Sequence, residues 1–446
     1  MKKLLKGKLP SVPHPEVETP ADPARRRVVA GALLGATAFF GPWKLNHVWA
    51  QSRSKKPILI GLTTDATGQY GASGEDERRG IMMAINEANE KGGVLGRLIE
   101  TVHVDTETTP ATGARVAEYM IREAECAFLL GGVHSGVASA ISAVAQKYGC
   151  IYFNTNSSSP TEAGKDCHRV KFVWDGNGYN FSAAVVKGAI TGYGPNWVLL
   201  THDYVWGHST AKGIRAIVEA NGGKIVEEML VPQNTRDFQA YLRKVKQRKP
   251  NVVATAVGGD DIKVLRQQIR QLSLDKDFAW INNQLDWPDV YGLGAEALFG
   301  IFGTNWYWKL DLPGVKEFVK RYQEHNAGYR IKVPGNVFYN GYMATRELFR
   351  AIERAGTTNN IRVIKELEKV RVSAKDRMQH FDAYMNPDTH QMQQTLYMAT
   401  RNTRTTPEKD DLFRILGRLR PDEVEDKAAL SACKLESYEA TPVYEM

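Results

Sequence analysis

The stretch from Ile58 to Glu100 constrains the fold more than any other part of this chain. Ile58, Leu59, Ile60 and Leu62 form a short, nearly unbroken apolar run, as a strand buried on both faces requires. A polar loop with three glycines, Thr67 to Gly74, follows it. Glu75, Asp76 and Glu77 then suit the positive end of a helix whose apolar stripe is Ile81, Ala84, Ile85 and Ala88 and whose stop is Gly92-Gly93. Strand, polar loop and helix open a βαβ unit, and the loop lies where open α/β sheets bind ligands.

The alternation continues along the chain. Strands are predicted over Ile99–Asp105, Cys126–Leu130 and Cys150–Phe153, with helices over Pro110–Glu123 and Gly136–Tyr148 between them. The pattern restarts with strands at Trp197–Leu200, Ile225–Val231, Val252–Ala256 and Phe278–Ile281, separated by helices at Gly207–Asn221, Asp237–Lys249 and Ile262–Leu272. Such β-α-β repetition at short spacing predicts parallel, doubly wound sheets. The polar, Gly-rich piece Trp174-Asp175-Gly176-Asn177-Gly178 between the two runs suits a hinge. The expected architecture is two α/β lobes with a cleft between them.

A chain of 446 residues is too long for one ordinary core, which agrees with two lobes. The formal charge of +8 hints at an anionic partner. Residues 1–50, however, hold eight Lys/Arg against three Asp/Glu, so the remainder carries only +3 and a nucleic-acid reading loses its support. That segment reads as an export signal. Arg25-Arg26-Arg27 precedes an apolar run of about thirteen residues, Val28–Phe40, too short to cross the ~30 Å of a bilayer core comfortably. Val48-Trp49-Ala50 suits cleavage before Gln51, and the paired arginines are similar to a twin-arginine signal. The alternative is a single-pass anchor left uncut. None of Cys126, Cys150, Cys167 and Cys433 forms C-x-x-C, so a zinc or thioredoxin-like site is not expected. Cys126 and Cys150 suit buried strand positions, and a Cys167–Cys433 bridge is one option in an oxidising compartment.

The residues IGLTTDATGQYGASGEDERRGIMMAINEANEKGGVLGR also carry a resemblance. A hydrophobic strand, T-G-x-Y, an S-G-x-x-x-x-x-G helix entry and N-E-A-N-x-x-G-G-x-x-G are similar to the start of the branched-chain amino-acid type of solute-binding protein. This is the type I periplasmic-binding-protein family that feeds ABC importers. The likeness persists, more weakly, to about Thr400. It implies lobe 1 from residues 57–175 plus about 304–378, and lobe 2 from 176–303 plus about 379–403. Three crossings are then expected, the second near Gly303–Trp308 and the third near Arg377–Gln391. Helix Phe338–Ala355 falls in lobe 1, and 404–446 is read as a surface-lying tail.

Two strand ends are rich in hydroxyls. Ser135, after Gly131-Gly132, and Ser157 with Ser158, after the next strand, can hold a carboxylate through hydroxyl and backbone hydrogen bonds without any Arg. Serines in loops also serve simply as turn formers. The resemblance implies that the matching positions bind the α-carboxylate of an amino acid. It places Ser73, with Tyr70 close by, near the apolar part of the ligand, and Trp206, in D-x-x-W-G (Asp203–Gly207), over it. Tyr339 matches a position that faces the cleft. Asp260 can accept from a ligand amine or cap its helix. Where amino-acid binders of this family often carry a glutamate, this chain reads Ile281-Asn282-Asn283-Gln284, and an amide cannot neutralise an ammonium. Asn283 and Gln284 are therefore candidate contacts, and either Asp260 compensates or the ligand has no α-amine. Trp287, Trp306, Tyr307 and Trp308 favour a flatter ligand, or belong to the core.

No G-x-x-x-x-G-K-[ST], H-E-x-x-H or strand-borne G-x-G-x-x-G occurs. His134-Ser135 lacks the G-x-S-x-G elbow, because Val133 takes the first glycine's place. An enzyme is not expected, nor a cofactor or metal. The resemblance implies a monomeric periplasmic receptor that captures a small solute (an amino acid, aromatic acid or short amide) and delivers it to ABC permease membrane subunits. A soluble sensor of the same fold, acting on a regulatory partner, is the alternative.

Overall fold

The computed structural model describes residues 55–446; the expected export signal lies outside the described residues. The first run of alternation is β1 (Ile58–Leu62), α1 (Gly71–Glu90), β2 (Ile99–His103), α2 (Pro110–Arg122), β3 (Phe128–Leu130), α3 (Ser135–Tyr148), β4 (Ile151–Asn154) and β5 (Lys171–Val173). Its five strands are all parallel in the order β2-β1-β3-β4-β5. Phe128, Leu129, Leu130, Ile151, Tyr152 and Phe153 are wholly buried, as a sheet covered on both faces demands. Cys126 and Cys150 are free, buried thiols just outside β3 and β4.

The second lobe begins with α4 (Gly178–Tyr193) and continues β6 (Asn196–His202), α5 (Val205–Ala220), β7 (Lys224–Val231), α6 (Gln239–Arg248), β8 (Val252–Ala256), α7 (Gly259–Gln271), β9 (Ala279–Asn282), α8 (Trp287–Val290) and β10 (Ile301–Thr304). The chain then returns to the first lobe with α9 (Val315–His325), α10 (Asn336–Ala355) and α11 (Asn360–Leu367). A small sheet of β11 (Arg371–Val372), β12 (Ala383–Met385) and β13 (Met392–Gln393) encloses α12 (Ala374–Arg377). β14 (Leu396–Arg401) and β15 (Phe413–Leu419) complete the second sheet, and α13 (Lys427–Ala432) follows. That sheet has the order β15-β14-β10-β9-β8-β6-β7, with β14 and β15 antiparallel to their neighbours.

α1 and α10 cross so closely that neither tolerates a side chain at the contact. A Cβ on Gly80 would lie 2.1 Å from the Phe338 carbonyl oxygen, and one on Gly341 would lie 2.6 Å from that of Glu77. Gly74 is equally constrained, since its Cβ would meet the Asp65 carbonyl oxygen at 1.9 Å. The close seating of α1 corrects the reading of Glu75-Asp76-Glu77. The helix starts at Gly71, four residues earlier than the acidic run, so these residues lie beyond its first turn. Asp76 and Glu77 are buried. Glu77 takes hydrogen bonds from the Gly132 amide (3.1 Å), the Asn156 side chain (2.9 Å) and the Thr155 hydroxyl, and so ties together the loops after β3 and β4.

The crossings between lobes are bound by buried amides. The first, at Trp174–Asn177, runs beside the third, which enters β14 from Gln391–Thr395: the Val173 amide donates to His390 O at 2.8 Å and Gln394 Nε2 to Trp174 O at 2.8 Å. The second, after β10, is joined through Asn305, whose Nδ2 donates to Asp175 Oδ1 (2.6 Å) and Asn340 Oδ1 (2.8 Å). The buried Arg377 guanidinium lies 4.9 Å from the Trp174 ring.

Residues 404–446 are not a loose tail. Phe413–Leu419 adds an edge strand, its alternation burying Phe413 while Arg414 and Leu416 stay exposed. The chain then passes back to the first lobe, where Cys433 forms a disulfide with Cys167 (S–S 2.08 Å, Cα–Cα 5.7 Å). Beyond it Glu436 meets His168 and Arg169, Tyr444 OH donates to Cys126 O at 2.7 Å, and Arg97 Nη1 donates to Met446 O at 3.2 Å.

Candidate ligand-binding cleft

The carboxyl ends of β3 and β4 in one lobe face those of β6, β8 and β9 in the other. Between them the walls leave a cavity of only about 20 Å³, room for little more than a water molecule. The two lobes are therefore closed on each other, and a solute must enter through an opened form.

Side chains from one lobe reach directly into the other. Ser73 Oγ donates to Asp289 Oδ1 (2.8 Å), Ser158 Oγ to Gln284 Oε1 (2.8 Å), and the Trp206 amide to Ser135 Oγ (3.1 Å). Tyr70 OH and Tyr204 OH are 2.5 Å apart, and Gln69 Nε2 donates to Gly258 O at 3.2 Å. Of the residues expected at the ligand, Ser158, Trp206 and Gln284 line the cavity. Ser73 and Ser135 act as fasteners between the lobes. Ser157 turns away, its hydroxyl bonded to the buried Glu162, which lies 3.9 Å from Lys171 Nζ. Asn283 sits behind β9 and accepts from Ser182 Oγ at 2.6 Å. Asp260 pairs with Lys263 Nζ at 2.7 Å on the rim. Tyr339 does not reach the cleft: it is fully buried, stacks on Trp306 at 4.9 Å and donates its hydroxyl to Arg377 O.

The aromatic wall is likewise not the expected one. Trp287, Trp306, Tyr307 and Trp308 are core residues, with Trp287 edge-on to Phe413 at 5.1 Å and Tyr307 stacked on it at 5.0 Å. The rings that line the cavity are Tyr70, Tyr204 and Trp206. They are contiguous, with Tyr204 6.4 Å from Tyr70 and 6.0 Å from Trp206. His134 stacks on Tyr204 at 4.7 Å, and burial pulls its pKa down to about 4, so the imidazole is neutral at pH 7.

Among the lining residues that escaped the sequence reading are two acids, Asp286 and Asp289. They flank Trp287-Pro288 at the start of α8, beyond the carboxyl end of β9. An acid followed within two residues by proline is a helix-start signal, and it was available in the sequence. Asp289 accepts from Ser73 and from the Gly259 amide (2.9 Å). Asp286 Oδ1 accepts from Asn336 Nδ2 (2.7 Å) and Gln284 Nε2 (3.1 Å). Asp175 stands behind them on the first crossing, and Gln284 Nε2 donates to its Oδ2 at 3.0 Å. Burial, then mutual repulsion, pushes Asp289 up to about 7; burial raises Asp286, and burial with the Asp286 charge raises Asp175. Among the described residues no lysine or arginine lines the cavity.

A sequence profile of the periplasmic binding protein family matches residues 57–406. The chain belongs to the periplasmic binding protein family. Its members are binding proteins and not enzymes. Among the relatives of this binding protein, the Leu/Ile/Val-binding protein BraC3 of Rhizobium johnstonii is 24% identical over 310 residues, covering 69% of this chain and 82% of that protein. A periplasmic binding protein from Burkholderia mallei superposes with a TM-score of 0.78 at 21% identity, covering 85% of this chain and 99% of that one. A solute-binding protein of an ABC transporter from Rhodopseudomonas palustris, in complex with 3,4-dihydroxy benzoic acid, superposes with a TM-score of 0.73 at 19% identity over 82% and 98%. The type I two-lobed fold of the family is thus the fold of this chain.

Proposed function

We propose that this binding protein captures a small organic solute between its lobes and delivers it, unchanged, to the membrane permease of an ABC importer. The observation that carries this reading is the closed cleft between two lobes whose side chains bond directly to each other, walled by Tyr70, Ser158, Tyr204, Trp206 and Gln284. Closure around a solute excludes water and strengthens each polar contact inside. The relatives named for amino acids and for an aromatic acid support a small ligand, and the Tyr70, Tyr204 and Trp206 rings suit either. The Trp206 indole is the donor on the wall left for a carbonyl or carboxylate, since the Ser158 hydroxyl already donates to Gln284 Oε1. The family supports a periplasmic site of action; the reading further takes residues 1–50 as a twin-arginine-like export signal and the receptor as a monomer.

The test is a thermal-shift screen with amino acids, aromatic acids and short amides. A true ligand at about 100 times its Kd should add ~2.7 kcal/mol of stability. Trp206→Ala and Ser158→Ala should each weaken that ligand while the protein stays folded. Unchanged affinity in both variants would move the site elsewhere.

A further inference from the structure

The charge of the cleft narrows the ligand further, on the reading just given of the cavity as a capture site. Asp286 Oδ1 accepts two hydrogen bonds, whereas Oδ2 receives none from the described residues. Asp289 lines the same cavity and Asp175 lies behind it. The nearest cations are engaged elsewhere: Lys263 pairs with Asp260 on the rim, and Arg377 lies among the hinge residues against Trp174 and Tyr339. Three aromatic rings line the same cavity, and an aromatic face attracts a cation. The Trp206 indole N–H, in a residue only 7% exposed, has no partner, so a donor waits for an acceptor on the ligand. An arriving anion would instead meet carboxylates: Ser157 donates to Glu162, and Ser135, which accepts from the Trp206 amide, does not line the cavity.

We infer that the cleft is a cation site: the required feature of its solute is a positively charged nitrogen, held by Asp286 against the rings of Tyr70, Tyr204 and Trp206, and a carboxylate on the solute is dispensable. Cation-free aromatic acids are then excluded, although a relative of the same fold is found with one. Gln284 has its place in this arrangement. A glutamate there would add a further buried negative charge beside Asp175 and Asp286, whereas the amide donates to both.

Calorimetric titration of the protein at pH 7.5 with benzylamine, benzoate, benzamide and phenylalanine tests the inference, because the first three differ mainly in charge. Benzylamine should bind at least tenfold more tightly than benzoate or benzamide, and Asp286→Asn should weaken it at least tenfold. The asparagine keeps an oxygen for Asn336 and Gln284, and the comparison of probes on the unaltered protein decides the matter even if the variant does not fold. Benzoate binding as well as or better than benzylamine overturns the inference while leaving solute capture standing. Binding of phenylalanine alone overturns the claim that the carboxylate is dispensable. Silence from all four probes at millimolar concentration overturns the inference, and solute capture then rests on the wider thermal-shift screen.

Discussion

Gln284 shows how a single residue changes meaning once its neighbours are known. In the sequence it marks a missing glutamate; in the fold it is the donor that holds two carboxylates side by side, with its own oxygen occupied by Ser158. The negative charge it lacks is supplied by Asp286 and Asp289, which are invisible to a match made position by position. Their titration gives a prediction. Asp65, Asp76 and Asp289 are each raised from 3.8 to about 7, chiefly by burial, so the folded state binds more protons than the unfolded one between those values. Stability of the ligand-free protein should therefore rise as pH falls from 8 to 6.5, by on the order of 1 kcal/mol, measured by chemical denaturation. His134, lowered to about 4, acts in the opposite sense, but mainly below 6.5. Flat stability over that window would mean that these carboxyls are not held above their ordinary range. A cationic ligand should also release protons on binding near pH 7, seen as a buffer-dependent enthalpy, because it favours the charged form of Asp289 and Asp286.

At the level of elements, the crossing of α1 on α10 carries the loops that reach the cleft. Gly80→Ala forces the helices apart, since its Cβ would lie 2.1 Å from a carbonyl oxygen, and overpacking of this kind costs about 1–3 kcal/mol. A denaturation midpoint unchanged in this variant would contradict the packing described. Strands and helices were largely legible because apolar runs and helical stripes are local patterns: Val252–Ala256 is a strand with the boundaries expected. What was not legible depends on partners far away in the chain. The acidic run at Glu75–Glu77 matches a helix start, yet Gly71–Gly74 already turns as helix beneath Asp65. The tryptophans at 287 and 306 look like a ligand wall until Phe413 and Tyr339 are found packed against them. Ser135 follows β3 and Ser157 and Ser158 follow β4, but the hydroxyls of Ser73, Ser135 and Ser158 are bonded across to the other lobe.

For the whole molecule, the chain returns to the first lobe after β15 and is fastened there by Cys167–Cys433, a link between residues 266 apart in sequence. This adds a covalent anchor to the amide-bound crossings of the hinge. Cys433→Ser should lower stability by about 2–5 kcal/mol, read from denaturant unfolding without reductant. Equal stability of variant and parent would show that the hydrogen bonds of residues 436–446 hold the segment unaided. Closure of the lobes around one solute molecule is the property on which everything else depends. Native mass spectrometry of the protein purified from its own periplasm measures it most directly. One small molecule per chain, recovered chemically unchanged and lost in Trp206→Ala, is the predicted result; a chain that carries no solute, or that returns it altered, contradicts the account.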